Sequence, residues 1–239
     1  MSLFEELDFQ STPLGDISLR RREEPRLDGK LLYEVKLDEE FLMSSLFVEA
    51  EVALAKLGLA RLNRKNADVV VGGLGLGHTA AAVLDHDTVA SLQVIEVMEP
   101  VIRWHENAMV PLGQQLSEDP RCEFVLADFF ATAMSEQNGF DNNHPQKKAD
   151  ALLLDIDHSP RHWLNPQNAD FYSWEGLQKV TNKISPGGIF GMWSNDPPDA
   201  EFVALLNQVF IDSESHIIEF ENPYSKGIST NSVYLANVA

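Results

Sequence analysis

The 239-residue sequence contains a single cysteine, few basic residues and no long apolar run. Cys122 alone cannot form a disulfide within the chain, which is typical of proteins from a reducing compartment. No stretch of about 18 apolar residues is present, so we expect no membrane-spanning segment and no membrane partner. The N-terminus, from Met1 to Glu6, is acidic and lacks the basic and apolar regions of a signal peptide. These absences together predict a cytoplasmic protein.

The shortage of basic residues limits the partners further. The chain has 18 Lys and Arg against 37 Asp and Glu, which gives a formal net charge of −19. Nucleic-acid binding draws most of its affinity from basic side chains that neutralise phosphates, so we expect no nucleic-acid partner. The field of a strongly acidic protein instead favours cationic ligands.

Strand and helix patterns alternate from Ala67 onward, which predicts an α/β domain with a mostly parallel sheet. Two later apolar runs, joined by a turn-rich loop, predict a C-terminal antiparallel strand pair. The expected strands are, in order, Asp68–Gly72, Ser91–Glu96, Glu123–Ala127, Asp150–Asp155, Gly188–Trp193, Ser215–Phe220 and Ser232–Ala236.

The chain before this domain has a different pattern. The segment from Leu14 to Lys36 alternates apolar and polar residues on both sides of a turn, which predicts two β-strands. Asp38 is a suitable N-cap for a helix expected from about Glu39 to Leu57. We therefore expect a small N-terminal β domain at residues 1–37 and a Rossmann-like transferase domain at residues 38–239.

Glycines at alternate positions follow the first strand of the larger domain. Gly73, Gly75 and Gly77 separate that strand from an Ala-rich helix, and Glu96 follows the next strand, 19 residues after Gly77. Glycine allows a tight turn and close approach of a ligand to the backbone. An acid at this distance is suited to ribose hydroxyls in a nucleotide-type βαβ unit. The pattern predicts a site for an adenosine-containing small molecule; the alternative is a tight turn without a ligand.

The glycine spacing argues against a dinucleotide. A dinucleotide site requires G-x-G-x-x-G, and His78 stands where the third glycine would be. The alternating form is similar to the first motif of class I S-adenosylmethionine-dependent transferases. An NAD-dependent dehydrogenase is therefore disfavoured.

Acidic residues end two further strands, and ligands of open α/β sheets bind at the carboxyl ends of the strands. Asp128 follows the third strand, and Asp155 ends the apolar run of the fourth, where an unpartnered acid is costly to bury. Asp155 is thus a candidate functional residue, although a carboxylate that caps a helix remains the alternative. His158 and His162 lie close together, but no other residue has ligand spacing, so no metal is expected.

The order of several short motifs resembles the spermidine synthase family over nearly the whole chain. The N-terminal strands resemble that family's small β domain, and a P-G-G turn and the C-terminal strand pair also match. The matching segments are Phe9–Ser11, Asp38–Phe41, Glu96–Ile102 and Ser185–Gly188.

The resemblance implies a role for each matching residue. Glu96 would hold the ribose hydroxyls, Asp128 the adenine amino group, and Phe129 would lie near the base. The glycines at 73, 75 and 77 would approach the donor's amino-acid or aminopropyl arm, and Asp155 would be the general base. The acceptor would be bound by Gln10, Asp157 and His158. The resemblance also implies a homodimer and, as donor, S-adenosylmethionine or its decarboxylated form, without a metal.

Three positions depart from the family pattern. Gly75 or Leu76 replaces the aspartate of the glycine motif, Leu42–Ser45 replaces the Y-H-E segment, and His158 replaces the second aspartate of D-S-S-D-P. The prediction is therefore transfer of an aminopropyl or methyl group to a small amine-like acceptor. The alternatives are a small-molecule methyltransferase and a nucleoside-binding or dimerising paralogue without catalysis.

Overall fold

The computed structural model describes residues 3–137, 139–141 and 143–239, so residues 1 and 2 of the predicted N-terminal domain lie outside the described residues. The described chain begins with a four-stranded antiparallel sheet in the order β1-β2-β3-β4. Its strands are β1 (Phe4–Thr12), β2 (Gly15–Glu24), β3 (Lys30–Leu37) and β4 (Glu40–Ser44). Two strands were expected here, so β1 and β4 add to the prediction.

The predicted helix from Glu39 is wrong at its N-terminal end. Residues 40–44 form β4, which pairs with β3, and helix α1 begins only at Glu49 and ends at Arg61. Asp38 caps no helix: it has φ +50° in the turn between β3 and β4, and its side chain accepts a hydrogen bond from the Asp16 amide at 2.7 Å. The sheet thus extends past residue 37, and the division into two domains at that position stays a prediction.

A seven-stranded sheet follows, with five parallel strands and an antiparallel pair at one edge. The strand order is β10-β11-β9-β8-β5-β6-β7, where the strands are β5 (Ala67–Gly72), β6 (Val89–Glu96), β7 (Cys122–Leu126), β8 (Ala149–Leu154), β9 (Ile184–Ser194), β10 (Ile211–Asn222) and β11 (Gly227–Asn237). The predicted fold class is confirmed: a mostly parallel α/β sheet with a C-terminal antiparallel pair, preceded by a small β sheet.

Helices cover both faces of this sheet. Val69 and Val71 of β5 belong to one core with α1, whereas Val70 belongs to the core on the opposite face. Successive side chains of a strand point to opposite faces, so a continuous apolar run is required when both faces are buried. The remaining helices are α2 (His78–Leu84), α3 (Glu99–Glu106), α4 (Gly113–Glu118), α5 (Phe129–Met134), α6 (Trp174–Lys183) and α7 (Ala200–Val209), with 3₁₀ turns at Pro25–Leu27 and Pro166–Tyr172. Within the described ranges, no helix is long and apolar enough to cross a membrane.

The N-terminal sheet packs over the end of the larger sheet. Ile17, Leu19 and Val35 join the same core as α1 and β5. The turn between β10 and β11 also reaches the N-terminal sheet, where the Tyr224 hydroxyl donates to Glu24 at 2.9 Å and accepts from Arg22 at 3.1 Å. This arrangement encloses a space at the carboxyl ends of the parallel strands.

Candidate functional site

A cavity of about 890 Å³ lies between the carboxyl ends of the parallel strands, the N-terminal sheet and the β10–β11 hairpin. Its volume is near the upper end of the range for small-molecule sites, which is roughly 300–1,000 Å³. Seven of the predicted site residues line it, namely Gly73, Gly75, Glu96, Asp128, Phe129, Asp155 and His158. The fold therefore brings together predicted site residues that are far apart in the chain.

The glycine loop requires its glycines for different reasons. Gly73 (φ +96°) and Gly75 (φ +50°) line the cavity, where a Cβ would collide with the Asp155 carbonyl oxygen and with the Met43 side chain, respectively. Gly77 (φ +88°) does not line the cavity, because it faces Leu116 and the buried ring of His105 at the start of α2. The position of Gly77 thus does not support its assignment to the ligand. Close packing at the start of α2 accounts for this glycine instead.

Glu96 ends β6 with its carboxylate held by the glycine loop. One oxygen accepts from the Leu74 amide at 3.0 Å, and the other accepts from the Met98 amide at 2.9 Å. Burial raises the pKa of Glu96, and these amides oppose the rise by favouring the charged form. The acid predicted for the ribose hydroxyls is therefore fixed in orientation at the cavity wall.

Asp128 and Phe129 lie one strand further, beyond β7. Asp128 is the N-cap of α5, and its side chain accepts a hydrogen bond from the Ala131 amide at 2.9 Å. Its exposed side chain also lines the cavity. Phe129 is buried against Phe140, with nearly parallel rings whose centroids are 5.4 Å apart, and it leaves no room for a Cβ at Gly72.

A second carboxylate, not predicted from the sequence, accompanies Asp155. Glu51 of α1 lines the same cavity, and the Thr79 hydroxyl donates to Asp155 Oδ2 at 2.6 Å. Burial raises the pKa of Asp155 to about 6, and the Thr79 hydrogen bond opposes that rise. Burial and the nearby charge of Asp155 raise the pKa of Glu51 to about 8. Near neutral pH the pair therefore holds about one proton and one negative charge.

The sequence contained a signal for Glu51. This acid lies in helical phase with the apolar residues Leu54, Ala55 and Gly58, which form the buried face of α1. Residues three and four apart share one face of a helix, so this spacing puts Glu51 on the buried side.

The three predicted acceptor-binding residues have different positions. His158 lines the cavity, and its Nε2 lies 3.0 Å from Glu40 Oε1 on β4. Asp157 is buried outside the cavity wall and accepts hydrogen bonds from the Leu164 amide, the Asn168 side chain and the Tyr172 hydroxyl. Through these hydrogen bonds, Asp157 fixes the conformation of the segment after β8.

Gln10 also lies apart from the cavity. Its side chain donates to Asp8 at 2.7 Å and accepts from Arg103 at 3.0 Å, and it is not among the cavity-lining residues. The assignments of Gln10 and Asp157 to the acceptor are thus not supported by their positions within this chain.

The charge of the cavity wall is of one sign. Four carboxylates line it, and among the described residues no Lys or Arg does; the carboxylates are Glu51, Glu96, Asp128 and Asp155. Phosphate and carboxylate ligands are normally met by Lys or Arg side chains, and no such side chain of the described residues lines this wall. The arrangement suits a ligand that carries positive charge. No group of three or more His, Cys, Asp or Glu that could hold a metal ion is found within the described part of the chain.

The fold and the position of the cavity define an α/β protein of the Rossmann-like methyltransferase type with an added N-terminal sheet. Comparison with solved structures is more specific. Spermidine synthase from Thermotoga maritima superposes with a TM-score of 0.72 at 20% sequence identity, over 98% of this chain and 73% of that one. A spermidine synthase in complex with the transition-state analogue AdoDATO gives the same TM-score and identity, over 98% and 74% of the two chains.

A probable spermidine synthase from Corynebacterium glutamicum is similar over 98% of this chain and 80% of that one, with a TM-score of 0.63 and 13% identity. No protein-family model matches the sequence, and no curated protein matches it. The chain therefore has a spermidine synthase-like fold, which confirms the resemblance drawn from the sequence motifs.

Proposed function

We propose that the protein transfers an alkyl group, aminopropyl or methyl, from an S-adenosyl sulfonium donor to a small amine. The observation that carries this proposal is the cavity wall, where four acidic side chains face the ligand space and no Lys or Arg of the described residues does. A sulfonium donor and an ammonium acceptor are both cations, and such a wall favours both. S-adenosylmethionine and its decarboxylated form are the candidate donors.

The donor's adenosine is assigned to the β6–β7 side of the cavity. Glu96 there would accept hydrogen bonds from the ribose hydroxyls, and Asp128 would accept from the adenine amino group beside Phe129. Gly73, whose backbone lies against the Asp155 carbonyl group, and Gly75 both line the cavity, and the donor's sulfonium would lie beside them and Asp155. The absence of an acid at Gly75, which Met43 covers, keeps the methyl donor as a candidate beside the aminopropyl donor.

Asp155 would act as the general base. Its raised pKa makes it more basic than an ordinary carboxylate while leaving it ionised near neutral pH. Asp155 accepts a proton from the acceptor's ammonium group, and the freed nitrogen lone pair attacks the carbon bonded to the donor's sulfur. The new C–N bond forms as the C–S bond breaks, and its electron pair leaves with sulfur as a neutral thioether. Holding both reactants in line supplies much of the acceleration.

The test is nucleoside release with each donor in the presence of mixed small amines. We expect methylthioadenosine from aminopropyl transfer or S-adenosylhomocysteine from methyl transfer. Asp155→Asn should lower turnover by about 10²-fold or more while donor binding is kept. Asp170→Asn, an exposed aspartate in the segment after β8, is the matched control and should leave turnover unchanged. Donor binding without turnover would support the non-catalytic alternative, and absence of donor binding would refute the proposal.

Two further expectations belong to this proposal. The resemblance to spermidine synthases supports a homodimer, which light scattering of the purified protein would test. We also expect a cytoplasmic location, because of the same resemblance and because the chain has a single cysteine.

A further inference from the structure

The acidic side chains of the cavity lie beside four neighbouring strands of the larger sheet. The strands run β10-β11-β9-β8-β5-β6-β7. Glu96 ends β6 and Asp128 lies just beyond β7, whereas the pair Glu51 and Asp155 lies by β5 and β8. If the adenosine occupies the β6–β7 side, the acceptor enters from the side of β9, β11 and β10.

The N-terminal sheet and the β10–β11 hairpin contribute the large apolar side chains of the cavity. We call them the apolar wall, which consists of Leu14, Leu37, Phe41, Phe47, Phe220 and Ile228. Phe47 and Phe220 join its two halves, with ring centroids 5.4 Å apart. Phe41 and Ile228 are 48% and 62% exposed although they line the cavity. Large apolar side chains held open at a cavity mouth are available to cover a ligand.

The polar groups on the acceptor side carry no formal charge. The Asn195 side chain accepts a hydrogen bond from the Asn231 side chain at 3.0 Å, and Ser229 and Thr230 lie beside them on the cavity wall. Glu219 and Glu221 of β10 do not line the cavity, and Glu40 is engaged by His158. Within the described residues, no carboxylate beyond the pair Glu51 and Asp155 faces an acceptor on this side.

We propose that the acceptor is a monoamine with an apolar alkyl or aryl body, rather than a linear diamine or polyamine. Its single ammonium group lies at Glu51 and Asp155, and its apolar body lies against the apolar wall. A second ammonium group would be desolvated there without an anionic partner, which is strongly unfavourable. This inference rests on the proposed function and deepens it by naming the acceptor class.

The test uses two amines with the same number of heavy atoms. n-Hexylamine and 1,5-diaminopentane differ only in a terminal methyl or ammonium group. Calorimetry first measures methylthioadenosine binding, and each amine is then titrated into the nucleoside-saturated protein. We expect n-hexylamine to bind at least about tenfold more tightly. Equal or tighter binding of the diamine, or binding of neither amine at millimolar concentration, would overturn the inference while leaving the proposed function standing. Failure of the nucleoside itself to bind would instead refute the proposed function.

Matched variants separate the apolar wall from general surface effects. Phe41→Ala should weaken n-hexylamine binding by about fivefold to tenfold, because the wall loses apolar area. Phe9→Ala removes an equally exposed phenylalanine (53%) of the same sheet that does not line the cavity, and it should have no effect. Ile228→Ala and Ile217→Ala form a second such pair on β11 and β10, with 62% and 58% exposure. Methylthioadenosine affinity should be unchanged in all four variants. Equal effects within each pair would contradict the assignment.

Discussion

Replacing Glu51 by glutamine should stabilise the protein at alkaline pH. Burial and the nearby Asp155 raise the pKa of Glu51 from 4.5 to about 8, so ionising this side chain is less favourable in the folded chain than in the unfolded chain. At about 1.4 kcal/mol for each pH unit, this rise corresponds to roughly 5 kcal/mol as an upper bound. Relaxation and water entry reduce the effect, so we expect on the order of 3 kcal/mol.

The pH dependence of this stability difference follows from the raised pKa of Glu51. The stability that protonated Glu51 contributes is fully present below about pH 4.5 and is lost as the pH rises through about 8. Glutamine cannot ionise, so the advantage of Glu51→Gln over the wild type should grow between about pH 5 and pH 8.

Urea unfolding, followed by circular dichroism at about pH 5, 7 and 9, measures this difference. Glu219→Gln is the control, because Glu219 is exposed on β10 and the substitution should change the free energy of unfolding by less than about 0.5 kcal/mol at every pH. A difference between Glu51→Gln and the wild type that stays constant with pH would refute the buried carboxylate pair.

Two other variants test neighbouring contacts. Thr79→Val removes the hydroxyl that donates to Asp155 at 2.6 Å, and a hydrogen bond to a charged group contributes about 1.5–3 kcal/mol. The pKa of Asp155 should rise, and the acidic limb of the kcat/KM profile should move up by about 1–2 pH units; an unmoved limb would contradict the contact. Tyr172→Phe removes the 2.8 Å hydrogen bond to buried Asp157 and should cost about 2 kcal/mol of unfolding free energy, measured in urea. Methylthioadenosine binding should be unchanged, and loss of that binding at full stability would show that Asp157 serves the ligand.

The larger sheet could be predicted because its central strands β5 and β8 are short apolar runs that are followed at once by a glycine or an acidic residue. The run at Val69–Val71, for example, places side chains in both cores and stops at the glycine loop. The same property predicted where Glu96 and Asp155 would meet, since parallel strands end at one edge of the sheet.

Strand β4 could not be predicted in the same way. Phe41 and Met43 alternate with other apolar residues, so the local pattern fits a helix as well as a strand. Pairing with β3, together with the Asp38 turn, decides the outcome. That pairing is a tertiary effect, and it also brings Met43 over Gly75.

Local sequence patterns also did not identify every residue of the site. Asp157 is two residues from the cavity-lining Asp155 in sequence, but its side chain is turned toward Asn168 and Tyr172. The apolar wall joins residues separated by about two hundred positions, such as Leu14 and Phe220, and no local motif connects them.

Calorimetric titration of the protein with S-adenosylmethionine, decarboxylated S-adenosylmethionine, methylthioadenosine and NAD, each alone, shows whether the cavity binds a sulfonium nucleoside. We expect binding of at least one sulfonium donor, and a preference between the two identifies the transferred group. We expect no tight binding of NAD, since no Lys or Arg of the described residues lines the cavity. Tight binding of NAD, or binding of none of the four at millimolar concentration, would contradict the proposed function.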